Sequence, residues 1–311
     1  METPETPREH QSVPRTITPL TIAAMSGAGM LRFPLKQEAL DVMVRSALHE
    51  DGAFNDITTI ATVVSDRRSR ATLVARAKGV VCGVPLALDA FRLLDPKVSI
   101  RVEHEDGVSV TPGEPVLFVT GHARGLLSAE RVALNYMQRL SGIATLTARY
   151  VEAVKGTDAK ILDTRKTTPG WRVLEKYAVR AGGGTNHRMD LSTGVLIKDN
   201  HLAALDGDVA KAVTRARELA PAGVKVEVEC DHVEQVVRAI DAGADIVLLD
   251  NMSPAELTQC VAIGKGKAVL EASGGVTLTT IRAIAETGVD WISVGALTHS
   301  APAMDLALDF E

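Results

Sequence analysis

The sequence predicts an α/β protein in which an antiparallel α+β domain precedes an incomplete barrel of parallel strands. Two observations lead to this prediction. After residue 158, short runs of Val, Ile and Leu alternate with helix-sized segments, which is typical of parallel strands buried on both faces. Before residue 140, the β-branched segments are instead bounded by Gly and Pro, which is typical of antiparallel strands.

The N-terminal half is predicted to mix helices with antiparallel strands. Residues 36–49 and the segment VPLALDAFRLL have apolar side chains at helical spacing. The predicted strands are 71–82, 98–110 and 115–121. Residues 128–154 form a long amphipathic helix in which Gly142 is an expected break, and we place the domain boundary near it.

The C-terminal half repeats a strand and a helix about six times. Its apolar runs are AKILD, GVLIK, VKVEVE, DIVLLD, AVLEAS and WISVG. Segments such as HVEQVVRAIDAGA separate them and are long enough for one helix each. So many βα units in succession favour closure into a barrel, although six strands are fewer than the usual eight.

Composition restricts the classes of function. The chain has 311 residues and a formal net charge of −5, which argues against broad electrostatic binding to nucleic acid or to anionic membranes. No apolar run approaches the roughly 20 residues that span a bilayer. Residues 1–32 are rich in Pro and Thr and are expected to be a disordered extension. The three cysteines show neither a disulfide framework nor a C-x-x-C pattern, which suits the cytoplasm.

Charged or small residues stand at the end of every strand in the C-terminal half. They are Asp163, Arg165 and Lys166, then Lys198, Asp199 and Asn200, and then Glu229, Asp250, Glu271, Ser273 and Gly295. The C-terminal ends of barrel strands meet at one mouth, where barrel enzymes have their active sites. One such residue could equally be a solvated loop charge, but six strand ends in succession predict a site.

The stretch from Asp163 to His201 is predicted to bind an anion, because cations are concentrated in it. The cations assigned to the site are Arg165, Lys166, His187, Arg188 and Lys198. Arg172, Lys176 and Arg180 recur at i, i+4 and i+8 in a predicted helix and are expected to form one solvated face. The three glycines 182–184, which Thr185 and Asn186 separate from His187, predict a positioned turn.

Two carboxylates and two small-residue turns complete the predicted site. Glu229 and Asp250 end adjacent strand units, and a pair of carboxylates suits Mg²⁺ that is bound partly through water and substrate oxygens. Ion pairing with the basic cluster is the alternative role for them. The turns EASGGV (271–276) and SVGAL (293–297) end the last two strands, where barrels commonly bind phosphate through backbone N–H groups.

These motifs together resemble the quinolinate phosphoribosyltransferase family. The resemblance rests on residues 163–201 (DTRKT to KDNH), VEVEC, IVLLDNMSP, EASGGV and ISVGALTHSAPAMDLALDF, and it covers about residues 36–311. It implies transfer of phosphoribose from phosphoribosyl pyrophosphate to quinolinate with decarboxylation, giving nicotinate mononucleotide, pyrophosphate and CO₂. It also implies an N-terminal α/β open sandwich (33–140, joined by the tail 300–311) and an incomplete α/β barrel (141–299) of six to seven strands.

The resemblance also implies roles for individual residues. Lys166, Lys198, Glu229 and Asp250 would be catalytic, and the last two would hold Mg²⁺ near the ribose. Thr164, Arg165, Lys166, His187, Arg188 and Lys198 would line the region of quinolinate and pyrophosphate. Ser273, Gly274, Gly275, Val294, Gly295 and Ala296 would hold the 5′-phosphate. Arg131 would reach the substrate of the partner subunit, so a homodimer with a shared active site is expected, and a higher oligomer is left open.

Three alternatives remain open from the residues themselves. The first is a phosphoribosyltransferase of the same fold that uses another ring acid. The second is a non-catalytic barrel that binds a phosphorylated metabolite, although such a protein gains nothing from Glu229 and Asp250. The third is a Schiff-base aldolase that uses Lys166 or Lys198, although the arginines do not suggest a carbonyl substrate.

Overall fold

The computed structural model describes residues 31–311, of which Phe33–Glu311 form one compact unit. The predicted disordered extension, residues 1–32, therefore lies outside the described residues except for its last two positions. None of the helices in the described range is both long enough and apolar enough to cross a bilayer.

Helices and strands alternate along most of the described chain. The helices are α1 (Gln37–Glu50), α2 (Ile57–Thr62), α3 (Val84–Leu94), α4 (Ala123–Ala153), α5 (Arg172–Ala181), α6 (Asp199–Ala203), α7 (Val209–Leu219), α8 (Val233–Asp241), α9 (Pro254–Gly264), α10 (Ile281–Glu286) and α11 (Ala296–His299). The strands are β1 (Arg68–Ala75), β2 (Gly79–Val80), β3 (Ser99–Val102), β4 (Ser109–Val110), β5 (Pro115–His122), β6 (Lys160–Leu162), β7 (Val195–Ile197), β8 (Val226–Cys230), β9 (Ile246–Asp250), β10 (Val269–Ser273), β11 (Trp291–Ser293) and β12 (Leu306–Phe310). One 3₁₀ turn, Ala53–Asn55, precedes α2.

The N-terminal sheet is antiparallel, as predicted, and contains the last strand of the chain. Its strand order is β12-β1-β5-β3, while β2 and β4 form a separate two-stranded ladder. Strand β12 pairs with β1 in the register Ala71 to Phe310, so the C-terminal tail completes this sheet. The division into domains at residues 33–140 and 141–299 stays a prediction.

Helix α4 is continuous through the position where a break was expected. The prediction at Gly142 is wrong, because α4 runs without interruption from Ala123 to Ala153. A Cβ atom at Gly142 would overlap the carbonyl oxygen of Pro302 and lie 3.1 Å from the Cα of Ala303. The glycine is therefore needed for close packing of the C-terminal tail on the helix and does not end the helix.

The second sheet is parallel and forms the predicted incomplete barrel. Its six strands follow the order β6-β11-β10-β9-β8-β7, and β6 and β7 at its ends do not pair with each other. A single parallel bridge joins Leu162 of β6 to Thr185. The segment that begins at Thr185 thus occupies the place of a seventh strand and brings the following residues, Asn186 to Arg188, into the gap of the barrel.

A buried ion pair fixes this segment. The prediction that Lys176 belongs to a solvated face is wrong, because its side chain is fully buried and pairs with the equally buried Asp163 at the end of β6. Arg180 is exposed and Arg172 is half-buried, as helical spacing allows. Periodicity alone missed Lys176 because it shows which helical positions share a face but does not show that a buried carboxylate faces one of them.

We predict that Gly142→Ala destabilises the fold. In an open helix the substitution would stabilise by about 1 kcal/mol through helix propensity. Here the overlap with Pro302 is a backbone contact, and overpacking of this kind costs about 1–3 kcal/mol. Urea unfolding should therefore show a net loss of stability, with the exposed Arg149→Ala on the same helix as control. A gain of about 1 kcal/mol for Gly142→Ala would contradict the packing.

We also predict that Lys176→Met lowers the free energy of unfolding by about 3–5 kcal/mol, because it leaves the Asp163 carboxylate buried without its cation. The matched control is Glu286→Ala, which breaks the exposed pair of Arg282 and Glu286 and should cost at most about 1 kcal/mol. Equal losses in the two variants, measured by urea unfolding, would mean that the buried pair does not organise the fold.

Candidate active site

A cavity of about 660 Å³ lies at the C-terminal ends of the parallel strands. All six residues predicted for the ring and pyrophosphate region line it, namely Thr164, Arg165, Lys166, His187, Arg188 and Lys198. So do five others predicted from later strands, namely Glu229, Asp250, Ser273, Gly274 and Gly275. The fold thus brings together residues that lie more than 100 positions apart in the sequence.

Most cations of the cavity come from two loops, one between β6 and α5 and the other between α5 and β7. Buried side chains hold both loops through hydrogen bonds. Asp163 accepts a hydrogen bond from the backbone N–H of His187 at 2.9 Å, and Lys176 donates to the carbonyl oxygen of the same residue at 3.0 Å. Glu175, also buried, accepts from the backbone N–H of Thr168 at 3.1 Å and from Arg139 at 2.7 Å. Both loops are therefore held by hydrogen bonds to buried side chains.

Arg165 and Arg188 both line the cavity and are not fully hydrogen-bonded within the described chain. The Nε of Arg165 is buried and has no hydrogen-bond partner within residues 31–311. Arg188 donates from Nη1 to the carbonyl oxygen of Gly194 at 2.8 Å. Burial lowers the pKa of the Arg188 guanidinium, and the neighbouring charge of Arg165 lowers it further. Two adjacent guanidinium groups in a partly dry site are stabilised by an anionic ligand, which would supply the missing acceptors.

The charges of the cavity are separated into two sides. Four lysines and arginines, Arg165, Lys166, Arg188 and Lys198, line the cavity together with four carboxylates, Asp199, Glu229, Asp250 and Glu271. The cations come mainly from the loops after β6 and before β7, whereas three of the carboxylates come from β8, β9 and β10. Two contacts cross between the sides: the Nζ of Lys198 lies 3.1 Å from Glu229, and the Nε2 of His187 lies 3.5 Å from Glu271. The arrangement suits a ligand that has an anionic part and a second part able to meet carboxylates.

Glu229 and Asp250 fit the requirements of Mg²⁺ in their chemistry. Glu229 is paired in register with Leu248, and Asp250 lies two residues further along the neighbouring strand, so both side chains belong to the same face of the sheet. Both line the cavity, and both offer carboxylate oxygens, the ligands that Mg²⁺ prefers. Two protein ligands leave most of the octahedral positions to water and substrate.

The turns predicted for phosphate have different surroundings. Gly274 and Gly275 have φ angles of +92° and +58°, and a Cβ on Gly274 would overlap the Asn251 side chain, so glycine is required there. The N–H of Val294 is already bonded to the carbonyl oxygen of Leu162 at 2.9 Å. Gly295 and Ala296 precede or begin α11, and the position of Gly295 lies against the side chain of Lys166. None of Val294, Gly295 and Ala296 lines the cavity itself.

The largely buried contacts among His187, Glu227, Glu271 and Ser293 were not predicted from the sequence. The Nε2 of His187 lies 3.2 Å from Glu227 and 3.5 Å from Glu271, and Glu271 also accepts from the hydroxyl of Ser293 at 2.6 Å. Burial lowers the pKa of His187, but the hydrogen bonds and charges of the two glutamates outweigh it and raise that pKa to about 10. The available signal was Glu227 in VEVE, since a glutamate inside a buried strand needs a partner.

Arg131 lies apart from the cavity of its own chain. It is exposed on α4 and does not line the 660 Å³ cavity. Ser128, one turn earlier on α4, donates to Asp56 at 3.0 Å, and Arg124 donates to the carbonyl oxygen of Val63 at 2.8 Å. Arg131 is therefore exposed on the part of α4 that packs on α2.

Comparisons with known proteins agree with this architecture. Residues 56–141 match the model of the quinolinate phosphoribosyl transferase N-terminal domain, and residues 143–309 match that of the C-terminal domain. The chain is 46% identical over 275 residues to the nicotinate-nucleotide pyrophosphorylase (carboxylating) of Mycobacterium leprae, with 86% of this chain and 95% of that protein covered.

Two further relatives give the same result. The chain is 43% identical over 260 residues to a probable nicotinate-nucleotide pyrophosphorylase (carboxylating) of Bacillus subtilis, with 84% of this chain and 89% of that protein covered. The solved structure of the nicotinate-nucleotide pyrophosphorylase from Francisella tularensis matches with a TM-score of 0.84 and 40% identity, covering 90% of this chain and 98% of that chain. The chain belongs to the quinolinate phosphoribosyl transferase family.

Proposed function

We propose that the protein transfers phosphoribose from phosphoribosyl pyrophosphate to quinolinate and removes CO₂, forming nicotinate mononucleotide and pyrophosphate. The observation that supports this most strongly is the separation of charge in the cavity. Quinolinate has two adjacent carboxylates, which match Arg165 and Arg188 on the cationic side. The ribose and a divalent cation match the carboxylate side.

The first chemical step forms a bond between the ring nitrogen of quinolinate and C1 of the ribose. The bond from C1 to the pyrophosphate oxygen breaks, and pyrophosphate leaves with the electron pair. The transition state places positive charge on the ribose and negative charge on the leaving group. Glu229 and Asp250 can stabilise the former, and Lys166 the latter, by fixed electrostatic interactions. The ammonium of Lys166 is exposed at the cavity and needs no covalent chemistry for this role.

The second step removes the carboxylate next to the ring nitrogen. The bond from this carboxylate to ring carbon C2 breaks, CO₂ leaves, and the electron pair stays on C2, where the positive ring nitrogen stabilises it. A proton from solvent then completes the product. The cations that bind quinolinate thus serve mainly to orient it, and the ring supplies the electron sink.

Mg²⁺ is the cofactor that the residues suit. Glu229 and Asp250 would hold it, and it would offset the negative charge of the pyrophosphate. Lys198 is ion-paired with Glu229 and would then serve as a partner of both the metal ligand and the substrate. Ser273, Gly274 and Gly275 line the cavity and would bind the 5′-phosphate. The second turn expected from the sequence, Val294, Gly295 and Ala296, does not line the cavity, and its role stays a prediction.

A homodimer that shares its active sites is supported by an exposed apolar surface beside Arg131. Phe54, Ile57, Ile60 and Val64 are 42%, 74%, 48% and 66% exposed, although all are large apolar residues. A patch of this kind on the α2 side of α4 suits contact with a second copy. We therefore infer that Arg131 enters the partner's cavity. The predictions of a higher oligomer and of a cytoplasmic location stay predictions, the latter supported by three buried cysteines without a disulfide.

The alternatives are less consistent with the structure. A Schiff-base lysine must lose its proton, but Lys198 is ion-paired with Glu229. Burial lowers the pKa of Lys176, but both Asp163 and the His187 carbonyl oxygen already engage its ammonium. A non-catalytic anion binder would not need four carboxylates in the same cavity.

The proposal predicts a defined stoichiometry. Purified protein with quinolinate, phosphoribosyl pyrophosphate and Mg²⁺ should release one pyrophosphate and one CO₂ per turnover, and removal of Mg²⁺ with a chelator should abolish both. Nicotinate should not replace quinolinate, because it lacks the second carboxylate. Turnover with nicotinate but not with quinolinate would exclude the proposed substrate and favour another ring acid.

The shared site predicts complementation between two inactive variants. Arg131→Ala removes the residue donated to the partner, and Lys166→Ala removes a residue of the receiving cavity. A mixed dimer holds one cavity with both defects and one with neither, so mixing should restore activity to about a quarter of the wild-type level per total protein. Proof of subunit exchange with two affinity tags is the control. If mixed dimers form without activity, Arg131 does not act across an interface.

A further inference from the structure

Both ring nitrogens of His187 are engaged by other residues of the same chain. Nδ1 accepts the backbone N–H of Arg188 at 2.7 Å, and Nε2 lies between the carboxylates of Glu227 and Glu271. Nε2 bears a proton in either charge state of the ring, and the Arg188 N–H directed at Nδ1 opposes a second proton there, so this contact counters the rise in pKa that the two glutamates cause. No ring nitrogen is thus left to bind a substrate in this arrangement.

The main chain of His187 is held just as completely. Its N–H donates to Asp163 at 2.9 Å and its carbonyl oxygen accepts from Lys176 at 3.0 Å. Five contacts, two through the main chain and three through the ring, therefore fix one residue. Because the peptide N–H of Arg188 is among the five partners, the direction in which Arg188 leaves the loop depends on the His187 ring.

Glu227 acts on this ring from outside the active-site cavity. A second cavity of about 190 Å³ also borders His187 and Arg188, and its lining combines apolar residues such as Leu162, Ile246 and Trp291 with polar ones such as Asn186 and Lys225. His187 and Arg188 line both cavities, whereas Glu227 lines only the smaller one. Its carboxylate is buried, 3% exposed, so it influences the active site through the residues above it.

We propose that Glu227 is a positioning residue for quinolinate binding: its carboxylate holds the Nε2–H of His187, and His187 in turn orients Arg188 toward the substrate. In this account His187 orients the binding site and is not itself a donor to the ligand, which differs from the role expected for it from the sequence. Glu271 shares the function and is itself held by Ser293. The proposal rests on the proposed function, because quinolinate is the ligand that Arg188 would bind.

The test compares two substitutions of Glu227. Glu227→Leu removes the acceptor, and the KM for quinolinate should rise about tenfold, the loss expected for one misaligned charge-assisted hydrogen bond. The KM for phosphoribosyl pyrophosphate should change less than twofold. Glu227→Gln keeps an acceptor oxygen for Nε2–H and should stay within about threefold of the wild type. Glu218→Leu, which removes an exposed glutamate on α7, is the control.

A double-mutant cycle shows whether the effect passes through Arg188. In an Arg188→Ala background, Glu227→Leu should cause no further rise in the KM for quinolinate, because the residue it orients is absent. Fully additive effects would overturn the proposal. So would a Gln variant as impaired as the Leu variant, since the negative charge of Glu227 would then act directly.

A crystal structure of the Glu227→Leu variant separates this proposal from the proposed function. The guanidinium of Arg188 should be displaced or disordered relative to the wild type, and this is read without any substrate. An unmoved His187 and Arg188 would overturn the positioning role even if quinolinate is the substrate. A wild type that fails to turn over quinolinate, with Arg188 displaced in the variant, would instead refute the proposed function alone.

Discussion

The buried pair of Asp163 and Lys176 is the interaction on which the site depends. Asp163 ends the first barrel strand, and Lys176 belongs to the helix that follows the next loop. Burying two charges is costly, so the pair is retained only where hydrogen bonds satisfy both groups. Here those bonds run to Asn186 and to both backbone groups of His187. The pair therefore holds the segment that fills the gap of the barrel.

Charge separation in the cavity follows from the order of the strands. The loops after β6 and before β7 supply Arg165, Lys166 and Arg188, Lys198 follows β7, and the neighbouring ends of β8 to β10 supply carboxylates. Since β6 and β7 lie at the two ends of the open sheet, their loops can approach one another across the gap. A closed barrel would place a strand there. Incomplete closure thus gives the cations room to converge opposite the carboxylates. The dianionic ring of quinolinate requires the cations, and phosphoribosyl pyrophosphate requires cations for its diphosphate and carboxylates for its ribose and metal ion.

The sequence predicted the fold and most of the cavity lining. All six apolar runs form parallel strands, because continuous Val, Ile and Leu have few other stable environments. Eleven of the proposed residues line the cavity, because strand ends of a barrel must meet. Buried polar contacts were not predictable: Lys176 has the same spacing as an exposed residue, and Glu227 has no local signal for its partner. Gly142 was misread because its neighbour, Pro302, is distant in sequence.

The most direct test of this account is a crystal structure with quinolinate and a non-hydrolysable analogue of phosphoribosyl pyrophosphate. We expect the two ring carboxylates to lie on Arg165 and Arg188, with the His187 nitrogens still bound to the Arg188 N–H and the two glutamates. The diphosphate should lie near Lys166, and the ribose near Glu229 and Asp250. A His187 ring that turns to donate to quinolinate, or a ring acid bound on the carboxylate side, would contradict the account.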